Sequence, residues 1–340
     1  MIDNNISSKT LNNPYYIVAP SFTKNSAGVL ALHLLCHHLN MKGYPSFITG
    51  FGECNYKTKP GLITPILDEE IITSHNENKK NPIVIYPDIA KGNPLNANNI
   101  VRYLLNYAGL LGGDSSFSQN DMIFSYTKRI AQQAGFDNHQ ILFMPISNTD
   151  IFYPPKDNKA RKGSCFYASK YKSFHKGKLF DITKDSVEIT RDLPNSQTTQ
   201  EVADLLRKSE IFYTYEDSSL ITEAILCGCP VVLIKNEFFD GETLAKHELG
   251  IGGCSKDVDP KNIEYAKQTI SLAQEQFIKS VDNFWAQLDN FIKITQDHFL
   301  KSSFEESEGE LLIKLLKKKR NPIGRIIKQQ IMDLIKSNFK

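Results

Sequence analysis

The chain has 340 residues, 41% hydrophobic and 23% charged, which is enough apolar material for two α/β domains under an ordinary soluble surface. That composition excludes a disordered chain, a collagen-like repeat and a disulfide-stapled miniature; 40 Lys+Arg against 38 Asp+Glu, a net charge of +2, excludes a dedicated nucleic-acid binder. Six cysteines lack zinc-finger spacing, with Cys227 and Cys229 separated by a single residue, and read as reduced thiols.

No apolar run reaches the roughly 18 to 20 residues that a bilayer span needs. Met1 to Asn13 is polar and Asn-rich, without the apolar core of a secretory signal. The expectation is a cytoplasmic protein whose contact with a membrane, if it makes one, is peripheral at the inner face.

In chain order, Tyr15 to Pro20 reads as a buried strand and Ser21 to Gly28 as a loop of small polar residues. Val29 to Met41 has helical apolar spacing, Gly43 stops it, and Pro45 to Thr49 reads as the next strand. Strand, small-residue loop, helix, strand is the opening of a Rossmann-like half. Asn81 to Pro87 is another apolar strand, Val101 to Leu105 reads as helical, and Gly109 to Gly113 as a loop. Met122 to Tyr126 and Gln140 to Met144 read as strands, with Lys128 to Ala134 helical between them. Asp150-Ile-Phe-Tyr-Pro-Pro155 has the look of an extended linker, which closes a first domain over residues 1–150.

The alternation then restarts. Strands are expected over Ser164 to Ala168, Ser186 to Thr190, Ile211 to Tyr215 and Pro230 to Ile234; helices over Thr198 to Lys208 and Ser218 to Cys227. Ile263 to Leu300 reads as mostly helical and completes a second domain, 151–300. Two such alternations joined by a Pro linker predict two Rossmann-like α/β domains facing one cleft. The rest, 301–340, is a basic amphipathic tail: Leu311 to Lys340 carries nine Lys and Arg against Asp333 as its one acid, and Leu311, Leu312, Leu315 and Leu316 share a helical face. Such a segment suits an anionic membrane surface or a helix packed on the protein body.

The richest stretch for chemistry is Ile211 to Ile234, IFYTYEDSSLITEAILCGCPVVLI. A strand runs into an acidic-hydroxyl turn, then a helix carrying Glu223, then Gly228 and Pro230 before a buried strand. Backbone N–H groups at Ser218 and Ser219 suit a phosphate, and Glu223 suits the two hydroxyls of a ribose. The plainer reading makes Ser218 an N-cap and Glu223 a solvated helix residue.

EAILCGCPVV, with an acid seven residues before its glutamate, resembles the donor-site motif of GT-B glycosyltransferases. The resemblance is to retaining family-four-like enzymes that build bacterial surface polysaccharide such as lipopolysaccharide, O-antigen and capsule. It implies that Glu223 holds the ribose of a nucleotide-sugar donor and that Glu216 faces the donor sugar. The family interval is commonly eight residues against seven here; Tyr215 stands at the eighth and carries no charge. Ala168-Ser-Lys-Tyr-Lys-Ser-Phe-His-Lys-Gly177 resembles the family's diphosphate clamp, which implies Lys170 and Lys176 as its cations and Lys172 as a substitute. Fixed cations there would stabilise a leaving nucleoside diphosphate without a metal. Asp150-Ile-Phe-Tyr-Pro is similar to the family's inter-domain boundary, and Asn25, Ser26 and Gly28 lie in the loop before its first helix, where acceptor or donor phosphate is bound.

No G-x-G-x-x-G is present, which weakens an oxidoreductase reading. His33 and His37 stand at i, i+4 without an acid between them, a pattern more often structural than zinc-binding. The expected activity is metal-independent and cofactor-free transfer of a glycosyl group from a nucleotide-sugar to a saccharide or lipid-linked acceptor, with no nucleic-acid partner. Two other readings stay open: a sugar-nucleotide epimerase of the same fold, and a non-catalytic glycosyltransferase-like subunit.

Overall fold

The structure, a computed structural model, describes residues 12–23, 26–50, 56–118, 120–136, 140–156, 160–173, 175–191, 193, 195–250, 252–300 and 312–314. The chain divides into two compact units: Met1–Met144 with Ala286–Lys340, and Pro145–Trp285.

Unit 1 runs β1 (Tyr15–Val18), α1 (Ala27–Met41), β2 (Ser46–Thr49), α2 (Glu69–Glu77), β3 (Ile83–Pro87), β4 (Asn99–Leu104), β5 (Met122–Ser125) and α3 (Lys128–Gln133). All five strands pair in parallel in the order β2-β1-β3-β4-β5. They are apolar on both sides because parallel strands are covered by helices or loops on both faces. Tyr16, Val18, Val84 and Tyr86 meet Ile72 of α2 on one of those faces. Of the run expected to be helical at Val101 to Leu105, all but Leu105 is part of β4. Asn-Ile-Val-Arg-Tyr-Leu is rich in β-branched and aromatic side chains, and a short apolar run buried on both sides has no period by which to tell it from a helix. Gln140 to Met144 contributes only an isolated bridge, Ser125 to Ile141.

Unit 2 repeats the plan: β6 (Ser164–Tyr167), α4 (Ser169–Ser173), β7 (Val187–Glu188), α5 (Thr199–Lys208), β8 (Ile211–Thr214), α6 (Leu220–Leu226), β9 (Val231–Leu233), α7 (Ala245–Leu249), β10 (Cys254–Ser255) and α8 (Pro260–Phe299). Its parallel sheet has the order β10-β9-β8-β6-β7. Numbered from its own first strand this is 2-1-3-4-5 read backwards, the same order as unit 1. Two Rossmann-like α/β units are therefore present, as the alternation predicts. In each, the direction of winding reverses between the first and third strands, and in unit 2 that switch point lies between β6 and β8. α5 opens with a reciprocal capping box between Thr198 and Glu201, and Gly228, at φ +71°, ends α6 in the left-handed conformation that only glycine adopts cheaply.

α8 is 40 residues long and serves both units. Its first part closes unit 2, where Phe277 is buried and Gln274 donates to the Ile225 carbonyl at 2.7 Å. From Ala286 onward it belongs to unit 1. Phe291 packs on Tyr15 and Phe124 there, the Tyr15 hydroxyl meets Thr295 at 2.7 Å, and Gln296 brackets the backbone of Asn13. Residues 286–299, grouped with the second domain on sequence, thus fill the core of the first unit, and the unit boundary falls at Met144 rather than at residue 150. No helix among the described residues is long and apolar enough to cross a membrane.

Of the basic tail, only residues 312–314 are described. Leu312 is 5% exposed and joins the Tyr16, Val84 and Tyr86 cluster of unit 1, with Ile313 against it. The remainder of 311–340 lies outside the described residues. Leu312→Ala is expected to destabilise the protein by about 2 to 3 kcal/mol, read from urea unfolding, because it opens a cavity in that core. An unchanged midpoint would mean that Leu312 is not docked there.

Candidate functional site

In an open parallel sheet, ligands bind beyond the carboxyl ends of the strands at the switch point. In unit 2, Tyr167 of β6 aligns with Thr214 of β8, and Tyr215 N–H donates to the Tyr167 carbonyl at 3.0 Å, so the two following loops leave the sheet side by side. They contain most of the residues singled out in the sequence.

The loop after β8 is Tyr215-Glu216-Asp217-Ser218-Ser219. Tyr215 is buried, stacks on Tyr171 at 5.0 Å, and its hydroxyl accepts from Phe180 N–H at 2.9 Å and meets Thr183 at 2.8 Å. This residue is a packing element. Glu216 is buried at 8% exposure, and its Oε2 accepts from Tyr171 N–H in the first turn of α4 at 2.9 Å. Its carboxylate therefore ties the β6 loop to the β8 loop. Asp217 accepts from Leu244 N–H at 2.9 Å and from the Thr243 hydroxyl, holding the start of α7.

α6 begins at Leu220 rather than at Ser218. Ser219 is in αR conformation and makes no side-chain cap. The Ser218 hydroxyl is buried without a hydrogen-bond partner. Glu223, one turn into the helix, is 8% exposed, which removes the solvated-helix reading. Its Oε2 is ion-paired with Nη2 of Arg191, its Oε1 lies 3.5 Å from the Ser219 hydroxyl, and Arg191 Nη1 donates to that hydroxyl at 3.2 Å. Burial pushes the Glu223 carboxyl above its ordinary range, opposed by the charge and hydrogen bond of Arg191. Arg191 was not singled out in the sequence. A lone arginine three residues past a strand end carries no distinctive spacing, and only the fold brings it to a glutamate 32 residues on.

The lysine segment follows β6. Lys170 lies exposed on α4. Lys172 is half-exposed and pairs with Glu188 of β7, at 2.8 Å from Oε2. Lys176, with φ +54°, turns Nζ onto the Ser173 carbonyl at 3.0 Å. Gly177 is dictated by packing, since a Cβ there would stand 2.2 Å from the Tyr171 ring. The Tyr171 hydroxyl donates to the Lys178 carbonyl at 3.0 Å, so the same tyrosine that receives Glu216 also shapes the Lys-Gly turn.

The proposed linker packs within unit 2: Phe152 is buried, and Arg207 lies 4.5 Å over the Tyr153 ring and donates to the Ile151 carbonyl at 2.8 Å. In unit 1, the Ser26 side chain caps α1 by accepting from Val29 N–H at 3.3 Å. Gly28 is not sterically required, because a Cβ there would make ordinary contact with Leu105 at 3.7 Å. Asn25 lies outside the described residues. The histidine pair of α1 is put to separate uses: His33 is buried, with Nε2 at 3.3 Å from the Pro20 carbonyl, while Nδ1 of His37 accepts from Ile63 N–H at 3.0 Å. Among the described residues, no group of three or more His, Cys, Asp and Glu is disposed to hold a metal ion.

No family model matches the chain, and no curated protein matches it. Solved structures similar to it include AviGT4, a glycosyltransferase involved in avilamycin A biosynthesis, with 12% identity and a TM-score of 0.42 over 86% of this chain and 100% of that one. T4 phage BGT in complex with its UDP-glucose substrate has 13% identity and a TM-score of 0.42 over 84% and 99%. A putative UDP-N-acetylglucosamine 2-epimerase from Listeria monocytogenes has 12% identity and a TM-score of 0.36 over 93% and 97%. These superpositions are loose, and the functional reading rests on the residues.

Glu216→Ala should destabilise the chain by about 1.5 to 3 kcal/mol in urea unfolding, the usual worth of a hydrogen bond to a charged group. Glu216→Gln should retain most of that stability, because its amide oxygen can still accept from Tyr171 N–H. Equal losses in the two variants would show that the charge, not the tie between the loops, is what matters.

Proposed function

We propose that the chain is a glycosyltransferase of GT-B type, with a nucleotide-sugar donor held on unit 2. The observation that carries this reading is Glu223: a buried, arginine-paired carboxylate beside Ser218 and Ser219 at the switch point of a parallel sheet. The motif resemblance assigns a ribose to the same residue. In this reading Glu223 accepts the ribose hydroxyls, the backbone N–H groups of Ser218 and Ser219 donate toward the diphosphate, and Lys170 and Lys176, with Lys172 in reserve, stabilise the charge that develops on the leaving group. Glu216 would present its edge to the donor sugar while Tyr171 N–H keeps it in place. The acceptor would be a saccharide or a lipid-linked saccharide of a bacterial surface glycan. Exclusion of water would favour transfer over hydrolysis. No metal is required, since cations of the chain supply the charge. A non-catalytic reading keeps one specific support: Glu216 is already engaged by Tyr171 N–H.

The deciding experiment is a thermal-shift screen over nucleoside diphosphates and nucleotide-sugars. A ligand at about 100 times its dissociation constant should stabilise the fold by roughly 2.7 kcal/mol. Glu223→Ala should then weaken that ligand by about 1.5 to 3 kcal/mol in calorimetry with the fold intact. A screen without a hit would remove the nucleotide reading, and unaltered affinity in the variant would remove Glu223 from the site.

Lys170→Ala and Lys176→Ala should lower kcat by more than they raise KM, because the charge they meet grows in the transition state. A full kcat with only KM raised would reassign them to ground-state binding.

A further inference from the structure

Glu223 and Arg191 form an ion pair whose side chains are 10% and 22% exposed. Such a pair is weak support for stability, since removing two charges from water costs about as much as their attraction returns. Its place calls for another explanation: it stands at the carboxyl edge of the sheet, where the β8 loop enters α6, and it recruits an arginine from beyond β7, at the far edge of the same sheet.

The two oxygens of the carboxylate are not equivalent. Oε2 is taken by the guanidinium, whereas Oε1 has only the Ser219 hydroxyl, at a long 3.5 Å, and that hydroxyl is itself held by Arg191 Nη1 at 3.2 Å. A carboxylate offers about four lone-pair directions, so Oε1 keeps acceptor capacity for a ligand. A planar guanidinium that grips Oε2 and Ser219 together sets the rotation of the carboxylate about its last bond, which a flexible or monodentate cation would not. A separate observation marks the same corner as polar: the Ser218 hydroxyl, one residue before Ser219, is buried with no hydrogen-bond partner.

We propose that Arg191 is a positioning residue for nucleotide recognition, holding Oε2 of Glu223 and the Ser219 hydroxyl so that Oε1 faces the two hydroxyls of a ribose. The inference rests on the ribose role given to Glu223 above and names the residue that makes it selective for ribose over a deoxy sugar. Arg191 acts through Glu223 and does not touch the diphosphate.

The test compares three probes by calorimetry on the full chain: the tightest binder among uridine, guanosine, cytidine and adenosine diphosphate, its 2′,3′-dideoxy analogue, and inorganic pyrophosphate. The unaltered chain should prefer the ribonucleotide by roughly tenfold or more, the worth of a hydrogen bond to a charged group. Arg191→Met should lose most of that preference while its affinity for pyrophosphate stays within about twofold of the starting value, and Arg191→Lys should recover part of it. If Arg191→Met keeps the full preference, the proposal is overturned. It is also overturned if pyrophosphate weakens as much as the nucleotide does, since Arg191 would then be binding phosphate directly. Should Arg191→Met not fold, Arg191→Lys decides alone: a preference cut several-fold supports the proposal and an unchanged one overturns it. An unaltered chain that binds the nucleotide without preferring ribose removes the role of Glu223 and this inference with it, whereas a preference that survives in the variants removes only the inference.

Discussion

Tyr167 and Thr214 lie side by side in a parallel ladder, and the chemistry of unit 2 depends on where that ladder ends. Parallel strands must be joined by crossovers that carry the chain back to the amino end of the sheet, so every loop leaving a carboxyl end emerges at the same end. Because β6 and β8 are neighbours whose crossovers run in opposite directions, their loops meet with no helix between them. Glu216 uses that opening by reaching across to Tyr171 N–H. The stack of Tyr171 on Tyr215, the Lys-Gly turn seated on the Tyr171 ring and the entry of α6 are all arranged around that junction.

Two buried carboxylates seven residues apart are satisfied in different ways. Glu216 takes a backbone N–H, which brings no charge, and its partner belongs to the neighbouring loop. Glu223 takes a guanidinium, whose charge opposes the penalty that burial places on the ionised carboxyl. The first device is chiefly architectural. The second leaves a partly exposed cation and an acceptor oxygen at the edge of the sheet, which is the arrangement expected of a site that receives a polar ligand.

Much of this was legible in the sequence because periodicity and punctuation agree there. Tyr15 to Val18, Ile83 to Pro87, Ile211 to Thr214 and Val231 to Leu233 read as buried strands, and Thr198 announced its helix through a Glu three residues on. β4 is not distinguishable from a helix in the sequence because a run buried on both faces shows neither a period of 2 nor one of 3.6. β10, two residues long, and α4, five long, are too short for any pattern; they exist because a neighbouring strand or a carboxylate supports them. The nearness of Glu223 to the β8 turn could be read from spacing, whereas Arg191 could not, because its approach to α6 is a product of strand order. The split assignment of Ile263 to Leu300 was likewise invisible, since a continuous helical period says nothing of which core each turn enters.

That split reverses the order in which the two units can be completed during synthesis. The strands of unit 1 are made before those of unit 2, yet unit 1 lacks Phe291, Thr295, Gln296 and Leu312 until after all of unit 2 has been made. Unit 2, a continuous stretch from Pro145 to Trp285, has all of its own residues earlier. At roughly 5 to 20 residues per second the N-terminal sheet waits several seconds or more, after its last strand appears, for the helix that seals it. During that interval its apolar strands Tyr15–Val18 and Ile83–Pro87 are a nascent-chain liability, and a chaperone that holds the first half of the chain would shield the surface that α8 later covers.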